Sequence, residues 1–171
     1  CYFNNASIAA KRLRKKGRVA VLDIDFHHGN GTQSIFYEDK NVLTISLHGD
    51  PHKYFPYFAG FPEEIGRGRG EGYNLNIILP DGTNADKYIR ALKKTALPAI
   101  KRFEPDFLII CAGFDTYIHD PIGTFAIEMD HYEKIGQVLF KLGLPTVIVQ
   151  EGGYFTKDLG ANVVSFLKGF F

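Results

Sequence analysis

The chain has 171 residues, of which 45% are hydrophobic and 23% charged, a composition typical of a globular domain with its own core. A formal net charge of +1 argues against electrostatic binding of nucleic acid or of an anionic membrane. The single basic run, residues 11–18, is interpreted as the solvated end of a helix. No apolar segment reaches membrane-spanning length, and the two cysteines, Cys1 and Cys111, suit a reducing, cytoplasmic compartment.

Strands and helices alternate along the chain, which predicts one α/β domain over residues 1–171, with a parallel sheet flanked by helices. The predicted strands are Arg18–Ile24, Val42–Leu47, Tyr73–Leu79, Phe107–Cys111 and Thr146–Val149. The predicted helices are Ala6–Lys16, Thr32–Tyr37, one from Asn84 to about Phe103, one from Asp130, and Thr156–Phe170. Pro98 should kink or divide the third helix. Asp130 and Glu133 have the spacing of a capping box, and Gly143 is a candidate C′ residue.

The stretch from Val19 to Gln33 carries the strongest functional signal. An apolar strand leads into Asp23, Asp25 and His27, and residues two apart in a strand share a face. These side chains therefore point the same way at the end of a strand, where α/β folds bind their ligands. A carboxylate and an imidazole so spaced can reach one divalent metal ion, and the alternative is a polar strand end.

Polar residues follow the other strands too. Ser46 and Leu47 close the second strand, Asp115 follows the fourth, and the segment 151–154 follows the fifth. Asp115 is a candidate third ligand, or else a cap for a loop or helix. Three protein ligands with an open fourth position are typical of a catalytic zinc site. The long loop 49–72, rich in glycine, proline and aromatic residues, is also expected to be functional.

Four motifs resemble one known family. The segments DIDFHHGNGTQ, SLHGDP, CAGFDTYIHDPIG and EGGY occur in the order and approximate spacing of the histone deacetylase and acetylpolyamine amidohydrolase superfamily. Asn30 resembles the class II pattern, and GEGYNLNIILPDGT resembles the acetylpolyamine amidohydrolase branch. The resemblance implies an arginase-like α/β fold, of which this chain would be the C-terminal portion. It also implies one catalytic zinc ion and bound potassium.

The resemblance assigns roles residue by residue. The implied zinc ligands are Asp25, His27 and Asp115, and Tyr154 would hydrogen-bond the substrate carbonyl. Asp23 would orient a catalytic histidine. The implied potassium site consists of backbone oxygens of Asp23, Asp25, His27 and Leu47 with the Ser46 hydroxyl. The implied substrate contacts are Phe58, as an aromatic wall of the acyl-lysine tunnel, with Gly113 and Gly153.

One component of the family pattern has no match in the sequence. The family's pair of adjacent histidines, general base and acid, lies on an upstream glycine-rich loop, and CYFNNA resembles the segment just after it. The chain begins at Cys1 and its only methionine is Met129, so upstream residues are expected to be missing together with that pair. The 171 residues alone are therefore not expected to be a competent deacetylase. A preceding segment, or a second chain in a homo-oligomer, should complete the sheet.

The sequence thus predicts zinc-dependent hydrolysis of N-acetyl amide bonds in an acetylated amine, either acetyl-lysine or an acetylpolyamine. One alternative is a noncatalytic, metal-holding fragment that binds an acetylated ligand or a partner chain. A second alternative is a dinuclear manganese ureohydrolase, although the sequence contains only one set of ligands for it.

Overall fold

The computed structural model describes residues 3–171, so Cys1 lies outside the described part of the chain. Residues 3–171 contain five strands: β1 Val19–Asp23, β2 Val42–His48, β3 Asn74–Ile78, β4 Phe107–Ala112 and β5 Thr146–Gln150. All pair in parallel, in the order β3-β2-β1-β4-β5. The predicted parallel α/β sheet is confirmed, and each predicted strand end is within one residue of the observed one.

In the described part of the chain, six α-helices pack around this sheet: α1 Asn5–Leu13, α2 Asn30–Phe36, α3 Ala85–Ala91, α4 Leu97–Phe103, α5 His131–Phe140 and α6 Thr156–Lys168. The side chain of Asn84 caps α3 by accepting a hydrogen bond from the Lys87 N–H at 3.1 Å. A π-helical turn, Leu92–Ala96, joins α3 to α4, so the long predicted helix is divided just before Pro98. Proline has no N–H to donate and crowds the preceding turn, which the wider π turn relieves. Within residues 3–171 no helix is long and apolar enough to cross a membrane.

The start of α5 differs from the prediction. Asp130 makes no capping hydrogen bond, because its own φ and ψ, −70° and −19°, are already helical. Glu133 instead accepts from the side-chain amide of Gln137, one turn further along the helix, at 3.1 Å. Gly143 has the left-handed φ of +66° expected near a helix end, but it lies two residues beyond the C-cap, Lys141. It is therefore the C″ residue and not the predicted C′ residue.

Two helical layers cover the sheet. Val19 and Val21 of β1 face α1 and α2 in one apolar cluster, whereas Leu22 faces the larger cluster formed with α3 to α6. Every residue of β1 and β2 is buried, as expected for central strands that are covered on both faces. The strands β3 and β5 form the two edges, and Val147 of β5 is 39% exposed.

The order of the strands creates a crevice at one end of the sheet. From β1 the chain proceeds outward to β2 and β3, and it then returns to add β4 and β5 on the other side of β1. The loops that follow β1 and β4 therefore diverge. Ligands of open α/β sheets bind at such a point, where the order of the strands reverses. The register pairs Asp23 of β1 with Cys111 of β4, so the residues that follow them lie side by side.

The long loop 49–72 is ordered by polar contacts with the sheet. The His48 ring donates from Nε2 to the carbonyl oxygen of Gly60 at 2.9 Å. The side-chain amide of Asn76 donates to the carbonyl oxygen of Phe61 at 3.1 Å. Side chains from β2 and β3 thus fix the middle of a loop that has little regular structure of its own.

Candidate metal centre and active site

Asp25, His27 and Asp115 meet in the crevice between β1 and β4. One ligand atom from each residue lies within 4.8 Å of the other two. The Nδ1 atom of His27 is 2.8 Å from Oδ2 of Asp115 and 3.4 Å from Oδ1 of Asp25. One imidazole nitrogen therefore faces two carboxylates that come from different loops, which is a donor set suited to a divalent metal ion.

Backbone N–H groups hold both carboxylates in place. The Phe26 N–H donates to Oδ1 of Asp115 at 2.7 Å, which ties the loop after β1 to the loop after β4. Oδ1 of Asp25 accepts from the His27 N–H at 2.8 Å, and Oδ2 accepts from the Gly152 N–H at 2.8 Å. Because the Phe26 side chain is fully buried, this loop is anchored between its two candidate ligands.

Two glycines make room for the carboxylates. A Cβ atom at Gly152 would lie 2.5 Å from Oδ2 of Asp25 and 2.6 Å from Oδ2 of Asp115. A Cβ atom at Gly113 would overlap the Asp25 carboxylate. Only glycine lets the backbone approach the acidic oxygens so closely.

The charges of this cluster are those of a cation site. Burial disfavours charge on His27, but its contacts with Asp115 and Asp25 outweigh burial and raise the pKa of His27 to about 9. Burial and then the charge of Asp25 raise the pKa of Asp115 to about 7. Burial opposes charge on Asp25 as well, but hydrogen bonds with His27 and Asp115 lower its pKa. Without a metal ion, protons on His27 and Asp115 thus offset part of the negative charge, and a divalent cation would supply the same compensation. The residues present fit a zinc ion.

Asp23 lies directly behind this cluster. Its Oδ1 accepts from the Asp25 N–H at 3.0 Å, and its Oδ2 accepts no hydrogen bond from residues 3–171. Burial, and next the charge of Asp25, raise the pKa of Asp23 well above its usual range. The register of the sheet places Asp23 beside Ser46 of β2.

The residues of the expected potassium site lie around Asp23. His48 donates to the loop from Nε2, so its Nδ1 is the acceptor for the Ser46 hydroxyl at 2.8 Å. Burial lowers the pKa of His48, which agrees with this neutral tautomer. The Ser46 oxygen accepts only a long hydrogen bond, from the Gly29 N–H at 3.4 Å, so one of its lone pairs remains free. In the described part of the chain no hydrogen bond reaches the carbonyl oxygen of Asp25 or of His27.

A cavity of about 340 Å³ opens beside the metal group and is lined in part by Tyr154, Phe55 and Glu151. Tyr154 is 52% exposed. Burial, followed by the charge of Asp25, raises the pKa of Tyr154, so its hydroxyl is a proton donor at neutral pH. Burial and the charge of Asp25 also raise the pKa of Glu151.

None of the three predicted substrate contacts lines this cavity. Phe58 is 74% exposed and lies outside it, with its ring centroid 6.5 Å from that of His52. Phe55, which the sequence analysis did not single out, lines the cavity, with its ring centroid 6.4 Å from that of His27. The segment YFPYF offers four aromatic residues, and nothing in their order indicates which one turns inward.

The two glycines predicted to contact substrate also lie away from the cavity lining. Gly113 packs against Asp25, as described above. Gly153 has a φ of +135°, and a Cβ atom there would lie 2.7 Å from Cδ1 of Leu159 and 3.2 Å from Cβ of Phe114. The positive φ and the close packing both explain why this position is glycine.

Asp120 is a second residue that the sequence analysis missed. Its carboxylate is buried, and Oδ2 accepts from the N–H groups of Tyr154 at 2.7 Å and Phe155 at 3.2 Å. Oδ1 accepts from Ile122 at 3.0 Å and Gly123 at 3.3 Å, within its own turn. The sequence DPIG indicates such an Asp-initiated turn, but not its contact with a segment more than 30 residues away.

The other histidines stand apart from the metal group. His28 packs on His48 with ring centroids 4.6 Å apart, and burial, then the neighbouring His48, lowers the pKa of His28 to about 4. A further group, Glu128, Asp130 and His131, lies at the start of α5 with both carboxylates exposed to solvent. Residues 3–171 thus contain one buried set of metal ligands, whereas a dinuclear centre requires ligands for two ions.

The same architecture occurs in known proteins. Residues 1–170 match the histone deacetylase domain family. The chain is 47% identical to the acetylpolyamine amidohydrolase of Burkholderia pseudomallei and 39% identical to histone deacetylase 8 of Arabidopsis thaliana. These alignments cover 99% of this chain but 50% and 48% of the two relatives.

Solved structures agree with the sequence comparison. The crystal structure of the acetylpolyamine aminohydrolase from Burkholderia pseudomallei superimposes with a TM-score of 0.96 at 47% identity. This match covers 99% of this chain and 50% of that one. The chain thus spans about half the length of these relatives, and it belongs to the histone deacetylase domain family.

Proposed function

We propose that the native protein containing this chain hydrolyses the N-acetyl amide bond of an acetylated amine, with zinc held by Asp25, His27 and Asp115. The observation that carries the proposal is the approach of His27 Nδ1 to two buried carboxylates in the crevice beside Tyr154. The relatives support this class of substrate, because they are named acetylpolyamine amidohydrolases and a histone deacetylase.

The chemistry divides between the ion and Tyr154. When bound, zinc supplies the Lewis acidity that makes an amide carbonyl carbon electrophilic. Asp25 and Asp115 offset most of the charge of such an ion. A hydrogen-bond donor to the carbonyl oxygen is therefore needed in addition to the ion. The Tyr154 hydroxyl lines the same cavity and remains protonated at neutral pH, so it donates to that oxygen as negative charge develops.

Amide hydrolysis also requires one group to accept a proton and another to protonate the leaving amine. His27 is assigned to the metal, and His28, with its pKa lowered to about 4, is a weak base. Asp23 is among the residues that line the cavity, and its Oδ2 accepts no hydrogen bond within residues 3–171. We expect it to orient a histidine that the native protein supplies from outside these residues.

Two finer assignments complete the proposal. Phe55 forms an aromatic wall of the cavity, where an acyl chain would pass His27. A potassium ion would be held by the Ser46 hydroxyl and by the backbone oxygens of Asp23, Asp25, His27 and Leu47. A hard monovalent cation prefers such oxygen ligands, and the remaining lone pair of Ser46 together with the carbonyls of Asp25 and His27 supports this assignment.

The test is Tyr154→Phe in the full-length native protein, assayed with acetylated polyamines and acetyl-lysine peptides. The turnover number should fall by about 10²- to 10³-fold, the usual loss when one donor to an oxyanion is removed. Zinc content by mass spectrometry should be unchanged, because Tyr154 is not a ligand. Tyr37→Phe is the matched control, since Tyr37 lies at the end of α2, outside the cavity. Equal turnover in Tyr154→Phe and the parent would overturn the assigned role.

A further inference from the structure

We propose that Asp120 is the positioning residue that sets Tyr154 for the reaction, an inference that rests on the proposed function. Tyr154 must bring its hydroxyl to the substrate carbonyl, yet its side chain is half exposed and its hydroxyl makes no hydrogen bond within residues 3–171. Its location therefore depends on the backbone of the loop between β5 and α6.

That loop is held on both sides of Gly153. On one side, the Gly152 N–H donates to Asp25 at 2.8 Å, and the Gly152 carbonyl oxygen accepts from the Phe114 N–H at 2.8 Å. On the other side, the N–H groups of Tyr154 and Phe155 donate to Oδ2 of Asp120. Gly153, at a φ of +135°, adds backbone freedom between these anchors. Asp120 is thus the anchor nearest to the tyrosine and the one on the tyrosine's own side of Gly153.

The carboxylate of Asp120 is suited to this role in charge and in geometry. It is 7% exposed, and within the described residues no lysine, arginine or histidine pairs with it. Four backbone N–H groups surround it, two from its own turn and two from the tyrosine loop. Both oxygens act only as acceptors, so the side chain joins the loop after β4, which carries Asp115, to the loop that carries Tyr154.

The substitution Asp120→Asn preserves the size of the side chain, but it removes the match between four N–H donors and two acceptor oxygens. One amide oxygen still accepts two N–H groups, but the amide nitrogen then faces the other two donors with a donor of its own. Either the turn at Ile122 or the loop at Tyr154 must shift. A displacement of about 1 Å at a positioning group can lower a rate by about 10²-fold.

A double-mutant cycle in the full-length native protein separates this role from a merely structural one. Asp120→Asn should lower the turnover number by about 10- to 100-fold in the parent, with KM and zinc content near the parent values. In the Tyr154→Phe background, Asp120→Asn should lower the turnover number by less than about 3-fold, because the hydroxyl that Asp120 positions is gone. Asp158→Asn is the matched control. Asp158 lies near this loop and accepts from the Tyr117 hydroxyl at 3.0 Å, but it does not contact the Tyr154 backbone.

Equal losses in both backgrounds would show that Asp120 supports the fold and does not act through Tyr154, which would overturn the inference. Unchanged turnover in Asp120→Asn would overturn it as well. If Tyr154→Phe itself has no effect, the proposed function fails and not only this inference. The unaltered protein offers an independent check: the amide hydrogens of Tyr154 and Phe155 should exchange slowly, and exchange at the rate of an open loop would contradict the contact with Asp120.

Discussion

Gly152→Ala should weaken zinc binding without unfolding the protein. The new Cβ atom would lie 2.5 Å from Oδ2 of Asp25 and 2.6 Å from Oδ2 of Asp115, whereas ordinary van der Waals contact begins near 3.4 Å. Each contact is thus almost an ångström too short. The carboxylates or the loop must move, and a shift of the loop stretches the hydrogen bond from the Gly152 N–H to Asp25.

The magnitude follows from what a metal site tolerates. Ligand distances vary by about 0.2 Å, so a displacement several times larger spoils the geometry of two ligands at once. Loss of a supporting group around a metal ligand typically lowers affinity by about 10- to 100-fold, and we expect Gly152→Ala to do the same. That range corresponds to about 1.4–2.8 kcal/mol of binding free energy.

The measurement is a zinc titration of the full-length native protein against a chromophoric chelator, with thermal unfolding recorded beside it. Gly160→Ala is the control: Gly160 lies in α6, and a Cβ atom there meets nothing within 4 Å. Gly160→Ala should stabilise α6 by up to about 1 kcal/mol and leave zinc affinity unchanged. If Gly152→Ala binds zinc as tightly as the parent, the two carboxylates do not form the site that we describe.

Three further substitutions test the fold by urea unfolding. Asn84→Ala removes the cap that accepts from the Lys87 N–H and should cost about 1 kcal/mol, whereas an unchanged midpoint would contradict the cap. Gly143→Ala places a side chain at a φ of +66° and should cost about 1–2 kcal/mol, and a gain in stability would refute the conformation. Tyr88→Phe removes a buried hydroxyl that donates to the carbonyl oxygen of Ile24 at 3.2 Å, so a loss of about 1 kcal/mol is expected, and equal stability would count against that bond.

The sheet could be predicted closely from the sequence because its strands are short apolar runs between clear turn residues. Phe107–Ala112 is buried on both faces and is an unbroken apolar run. Val42–His48 is also buried throughout, although Thr44, Ser46 and His48 alternate with its apolar residues. The capping of α5 was harder to predict. Asp130 and Glu133 have the correct spacing, but a capping box depends on backbone dihedral angles that the sequence pattern does not fix.

The candidate site also has residues that could be predicted from the sequence and residues that could not. The alternation of Asp23, Asp25 and His27 led to their selection from the sequence. In the structure β1 ends at Asp23, and Asp25 and His27 lie in the bend that follows it. Asp115 joins them only through the order of β1 and β4 in the sheet, and its selection from sequence depended on the motif that surrounds it. Asp120 could not be found in this way, since its contact with Tyr154 is decided by how two loops pack.

The lining of the cavity was the least predictable part. Phe55 and Phe58 are three residues apart in one aromatic loop, and only the path of that loop decides which ring approaches His27. Polar contacts from β2 and β3, such as that from His48 to Gly60, fix the path. Such contacts join residues whose partnership has no local sequence signal.

The central claim is that Asp25, His27 and Asp115 bind one zinc ion. X-ray absorption at the zinc edge of the full-length native protein, purified and loaded with one equivalent of zinc, tests it most directly. We expect a shell of one imidazole nitrogen with oxygen ligands at about 2.0–2.2 Å, and loss of the imidazole signal together with most of the bound zinc in His27→Ala. A zinc shell that contains sulfur, or that is unchanged in His27→Ala, would contradict the assignment.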